Sequence, residues 1–187
     1  MKISTYIFSI SLLFLSCKDD TNPIKTDPPN PYAQKDIDWP SLQKAPWPMY
    51  RHDPQLTGRS QFVGPTKGVI VDTIRTSGTA SLSAISIDNS GTLYCSITGG
   101  DTNLVALSPQ GVPFWGLTLS LLKPFNTPTI LSENSIIHAS ANGIRKISST
   151  GSVVWTWQPP SPVYQYNSPI DKEGNMYCID NLKTRKK

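Results

Sequence analysis

Through the middle of the chain, apolar residues come in short bursts. Leu82 to Ile87, Thr92 to Ser96, Leu104 to Leu107 and Val112 to Leu117 are each four to six residues long. Between them lie turn formers: Asp88-Asn89-Ser90-Gly91, Gly99-Gly100-Asp101 and Pro109-Gln110-Gly111. Runs of this length, bounded in this way, predict short strands joined by tight turns. The Asp-x-x-Gly turn has a physical basis. The aspartate side chain accepts hydrogen bonds from the turn amides, and glycine takes the positive φ at the exit. Seventeen prolines and twelve glycines break up long helices.

The pattern then repeats. Ile87-Asp88-Asn89-Ser90-Gly91-Thr92-Leu93-Tyr94-Cys95 matches Ile170-Asp171-Lys172-Glu173-Gly174-Asn175-Met176-Tyr177-Cys178, 83 residues on. A degenerate copy, Ile130 to His138, lies 43 residues after the first and 40 before the third. Leu107, Gly111 and Trp115 recur as Ile147, Gly151 and Trp155, each 40 residues later. The three extra residues of the first interval predict a longer hairpin near Thr98 to Asn103. Four short strands in about 40 residues, with tryptophan in the last, describe a β-propeller blade. Such a tryptophan is flat and large enough to fill the gap between blades while its N–H reaches a carbonyl.

These residues resemble the pyrroloquinoline-quinone (PQQ)-like β-propeller repeats. The family's Ala-x-Asp, glycine, tryptophan pattern stands here as Ala106, Ser108, Gly111, Trp115 and as Lys146, Ser148, Gly151, Trp155, with serine in place of aspartate both times. Trp47 to Ser60 resembles the lead-in found before many such propellers. The resemblance spans Trp47 to about Asn181. It implies an all-β fold, a β-propeller of four-stranded blades with about three blades or part-blades present. A closed ring takes four to eight blades, so the chain is expected to be an incomplete or truncated member. Activity does not follow from the fold, because propellers host many unrelated functions.

The N-terminus carries a different signal. Lys2 precedes an apolar stretch that ends at Ser16-Cys17, followed by Lys18-Asp19-Asp20. From Ile3 to Cys17 there are 15 residues, about 22 Å of helix, against a bilayer core of about 30 Å. The segment reads as a secretory signal rather than a membrane span. Phe14-Leu15-Ser16-Cys17 resembles a bacterial lipobox, with Phe14 where leucine is usual. The resemblance implies that Cys17 is acylated and becomes the mature N-terminus. Lys18-Asp19-Asp20 resembles the surface-export signal of Bacteroidetes-type lipoproteins. The expected location is the bacterial outer membrane, lipid-anchored and facing the cell surface, with the periplasmic face as the alternative. Lys18 to Pro46 holds six prolines and no apolar period, which predicts an extended tether; Trp39 either docks on the domain edge or stays unpacked. The expected divisions are a signal peptide over 1–16, a lipidated N-terminus and disordered Pro-rich linker over 17–46, a partial propeller over 47–182 and a basic tail over 183–187.

Charge narrows the partners. Lys and Arg number 17 against 13 Asp and Glu. Lys183, Arg185, Lys186 and Lys187 supply the whole excess, so the body is neutral and offers no basic groove for nucleic acid. The expected partners are the membrane, through the anchor, and a protein or a glycan.

Candidate chemistry is sparse. PQQ-dependent dehydrogenases of the resembling family hold calcium and the quinone with an acidic base, a second carboxylate and a Cys-Cys pair; this chain has no Cys-Cys. Asp88, Asp101, Glu133, Asp171 and Glu173 fall in predicted turns. No catalytic residue, metal or cofactor is therefore assigned. PQQ and calcium belong only to the alternative, a fragment of a secreted quinoprotein oxidoreductase. Cys95, His138 and Cys178 occupy one repeat position, and a Cys/His/Cys set is a zinc-type donor set. Equivalent positions on successive blades diverge, so packing is the expected role. His52, between Arg51 and Asp53, is read as a structural or surface residue. Tyr164 and Tyr166, beside Pro159-Pro160-Ser161-Pro162, form a possible aromatic ligand patch. The leading reading is a membrane-anchored, non-enzymatic binding or scaffolding module.

Overall fold

The computed structural model describes residues 37–70, 73, 81–99, 101–119, 126–140, 143–158 and 169–177. Among these there are eight strands and no helix. They are β1 (Ser81–Ile87), β2 (Leu93–Thr98), β3 (Leu104–Leu107), β4 (Pro113–Leu117), β5 (Thr129–Ile130), β6 (Ile136–Ser140), β7 (Gly143–Ile147) and β8 (Val153–Trp157). Each consecutive four form one antiparallel sheet, in the orders β1-β2-β3-β4 and β5-β6-β7-β8. The described residues are all-β, as the strand pattern predicts.

The sequence repeat is a structural repeat. Ile87 pairs with Leu93, Leu93 with Leu107 and Leu107 with Pro113. In the second sheet Ile130 pairs with Ile136, Ile136 with Ile147 and Ile147 with Val153. The register shifts at equivalent places, between Ala106 and Leu107 and between Lys146 and Ile147. Five residues separate β2 from β3 and two separate β6 from β7, which locates the three-residue difference between the intervals. A third copy begins with an isolated bridge between Ile170 and Met176, 40 residues after the Ile130–Ile136 pair.

The turns explain the spacing. Asp88 Oδ1 accepts from the amides of Ser90 and Thr92, each at 2.8 Å, and Gly91 leaves the turn at φ 84°. Asp171 Oδ1 accepts from the Asn175 amide at 2.7 Å, with Gly174 at φ 89°. In the degenerate copy Leu131 replaces the aspartate, and Asn134 takes the left-handed position at φ 66°. Ser108 and Ser148 do in the β3–β4 and β7–β8 turns what aspartate does elsewhere. Their Oγ atoms accept from Val112 N at 3.1 Å and Ser152 N at 3.0 Å. A hydroxyl thus suffices for this cap.

Alternation of side chains splits the core into two layers. Tyr94, Leu104 and Ala106 of the first sheet meet Ile130, Ile136 and Ile147 of the second. The other face of the second sheet, Ile137, Ala139 and Ile144, packs with Leu42, Met49 and Ile170. Each fully buried Leu or Ile contributes about 1.5–3 kcal/mol.

The packed body starts earlier than the expected boundary at Trp47. The extended linker expected to run through Pro46 is, from Trp39 onward, a strap across all three repeats. Trp39 Nε1 donates to Ile170 O at 3.1 Å and Ser41 Oγ to Asp171 O at 2.5 Å. Leu42 bridges to Leu131, and Trp47 to Ile87. Buried Gln43 ties two turns together, donating to Asn134 Oδ1 at 2.5 Å and accepting from Asn89 N at 2.9 Å. The strap therefore crosses the third, second and first repeats in that order.

Candidate functional site

Trp115 on β4 reaches across the seam between the two sheets to the β7–β8 turn. Its indole lies over Gly151 in the β7–β8 turn, where a Cβ would come within 2.8 Å of two ring carbons. Gly151 is thus required twice, by this contact and by φ 86°. Trp115 Nε1 donates to Ser149 O at 2.9 Å, and its ring centroid lies 6.0 Å from that of Tyr94. Trp155 occupies the equivalent place on β8 but is 37% exposed. All five residues of β8 are exposed, so the two tryptophans are equivalent in register and not in packing.

Beside Trp115 the seam opens into a cleft of about 650 Å³. Tyr94, Phe114 and Trp115 supply aromatic surface, and Ser90, Thr92, Ser149 and Thr150 supply hydroxyls. Phe114 is 62% exposed. The Tyr94 hydroxyl lies 3.4 Å from Asp88 Oδ2, and burial together with that carboxylate pushes its pKa up to about 12. A second cleft of about 430 Å³ lies where the strap, with Leu42, Gln43 and Lys44, faces Asn89, Ser132 and Asn134.

Further along the seam the interior turns polar. Ser96 on β2 points toward the second sheet, where His138 on β6 sits directly opposite Arg145 on β7. Ser96 Oγ lies 2.7 Å from Asn126 O and 3.1 Å from His138 Nε2. Burial, reinforced by the Arg145 charge, lowers the His138 pKa to about 4, so the imidazole is neutral. The expectation that His138 is a packed residue agrees with its full burial, but its polar partners were not foreseen. The available signal was Arg145 two residues before the core residue Ile147, on the same face of β7.

Cys95 lies on the face of β2 opposite Tyr94 and Ser96, hence away from His138. It is buried, and burial alone raises its thiol pKa to about 11. The repeat equivalence of Cys95 and His138 therefore does not bring them together. No group of three or more His, Cys, Asp or Glu side chains suited to a metal occurs among the described residues. Cys17, Tyr164, Tyr166 and Cys178 lie outside the described residues.

Two further acidic groups have structural settings. Asp53 accepts from the Thr57 amide at 3.1 Å and from the Thr57 hydroxyl, and pairs with His52 Nδ1 at 3.3 Å. Burial works to raise its pKa, but these bonds hold the carboxyl below its ordinary value. His52 also packs edge-on against Trp47, 5.4 Å between centroids. Glu133 pairs with Lys146 at 2.7 Å and accepts from Ser135 at 2.8 Å. Here too burial is outweighed and the pKa is lowered. Lys146, which stands where the resembling family has alanine, thus has a local partner.

No protein-family model matches the chain, and no curated protein matches it in sequence.

Proposed function

We propose that this chain is a lipid-anchored binding or scaffolding module, a β-propeller-type stack of four-stranded blades held at the bacterial outer membrane. The observation that carries the reading is the Trp115–Gly151 seam, because it joins successive 40-residue repeats and leaves an open cleft at the joint. Aromatic surface beside hydroxyls, side-chain amides and the Asp88 carboxylate suits recognition, since apolar area supplies affinity and a few polar groups fix orientation. The anchor rests on the Phe14-Leu15-Ser16-Cys17 pattern. Multiple acyl chains on one residue hold a protein at a membrane stably.

A photo-reactive side chain at position 114 tests anchoring and binding together. In intact membranes it should form discrete covalent adducts with a protein or glycan, and the chain should partition into detergent. Cys17→Ala should release the chain and remove the adducts. A position-114 probe without adducts contradicts the binding role. Unchanged detergent partitioning of Cys17→Ala contradicts the anchor.

A further inference from the structure

A guanidinium taken out of water needs a counter-charge, because burial of an unpaired ion is strongly unfavourable. Arg145 is 9% exposed, and its Nη1 has no hydrogen-bond partner. Among the described residues no carboxylate forms an ion pair with it. Its cross-strand neighbour, His138, is fully buried and supplies no negative charge.

The hydrogen bonds around it define what is missing. A carbonyl only accepts, so Ser96 donates its proton to Asn126 O. His138 must then donate from Nε2 to Ser96 Oγ, which leaves Nδ1 as a bare acceptor. Asn126 Oδ1 is a second buried acceptor without a partner. The cluster thus presents one cationic donor and two acceptors.

Water answers the hydrogen bonds and leaves the charge. Sulfate and acetate answer the charge and have no proton for the acceptors. A small oxyanion that also bears O–H groups supplies both: dihydrogen phosphate, with two, answers the charge and both acceptors, and a 2-hydroxy carboxylate, with one, answers the charge and one acceptor. We propose that Ser96, Asn126, His138 and Arg145 form a binding site for a small hydroxyl-bearing oxyanion inside the seam between the two sheets. Arg145 is the most exposed of the four, so the anion enters past the guanidinium. The site depends neither on the lipid anchor nor on a macromolecular partner.

Thermal unfolding of the full-length chain in detergent, at constant ionic strength and pH 7, tests this with phosphate, glycolate, sulfate and acetate as probes. Phosphate or glycolate at about 100 times its Kd should raise Tm by more than about 3 °C, saturably. Sulfate and acetate should raise it by less than about 1 °C, and sulfate also controls for general salting effects. Arg145→Met should fold, because it removes an unpaired buried charge, and should lose the phosphate response. Arg145→Gln is the second variant. Phosphorus NMR line broadening by the wild-type chain reads binding without any substitution. Equal shifts from all four salts, a phosphate response kept in both variants, or no broadening and no shift because the cluster holds water only would each overturn the proposal.

Discussion

Removing the Trp115 indole attacks the joint between the two sheets directly. Full loss of a buried large aromatic costs about 3–5 kcal/mol. Trp115 is only partly buried, which places the packing loss at about 2–3 kcal/mol. The bond from Nε1 to Ser149 O, at 2.9 Å, adds about 1 kcal/mol. Trp115→Ala should therefore cost about 3–4 kcal/mol. Gly151→Ala should also destabilise. Its φ of 86° costs an L-residue about 1–2 kcal/mol, and a Cβ 2.8 Å from the ring adds about 1–3 kcal/mol of overpacking. With the indole gone, the new methyl meets no ring. The double variant should then be more stable than the sum of the single losses by about 1–3 kcal/mol. Urea unfolding of the full-length chain in detergent, followed by circular dichroism, supplies the free energies. Trp155→Ala, at an exposed position, serves as the control and should cost about 1 kcal/mol. Single losses that add within about 0.5 kcal/mol would refute the contact.

His138 predicts a pH dependence. Its folded pKa, held down to about 4 against an ordinary 6.5, means that the unfolded chain takes up a proton the folded chain refuses. Stability should fall as pH drops from 6.5 toward 4, by roughly 3 kcal/mol at the limit. His138→Gln should flatten the curve between pH 6.5 and about 5, above the range where Asp53 and Glu133 lose their contributions; an unchanged slope there contradicts the burial argument. Gln43→Ala removes the side-chain bonds to Asn134 and Asn89 and should cost about 1–2 kcal/mol, with faster proteolysis between residues 38 and 49; unaltered cleavage kinetics contradict the strap. In a Cys17→Ala, Cys178→Ala background, Cys95, with its pKa raised to about 11, should resist thiol reagents until the chain unfolds, and rapid labelling of the native state contradicts its burial.

The turns were the most legible part of the sequence. Asp88, Ser108, Ser148 and Asp171 each cap a turn locally, so their chemistry appears in four consecutive letters. Strand pairing followed from the spacing, because turn length and side-chain alternation together fix the register. The strap was illegible for the opposite reason. Residues 39–47 reach the sheets through isolated bridges and the side chain of Gln43, which impose no apolar period. Trp115 and Trp155 stand at one register position, as the 40-residue spacing predicts, but a repeat sets where a side chain stands and not what lies against it. The cluster of Ser96, Asn126, His138 and Arg145 joins segments up to 49 residues apart, so only the stacking of the sheets assembles it.

The proposed display of these repeats at a membrane depends on acylation of Cys17. The mass of the N-terminal peptide, taken from chain purified out of native membranes, tests it most directly. The prediction is a mature chain that begins at Cys17 and carries acyl chains on that residue. A chain with unmodified Cys17 inside an intact leader, or one cleaved at another position, would contradict it.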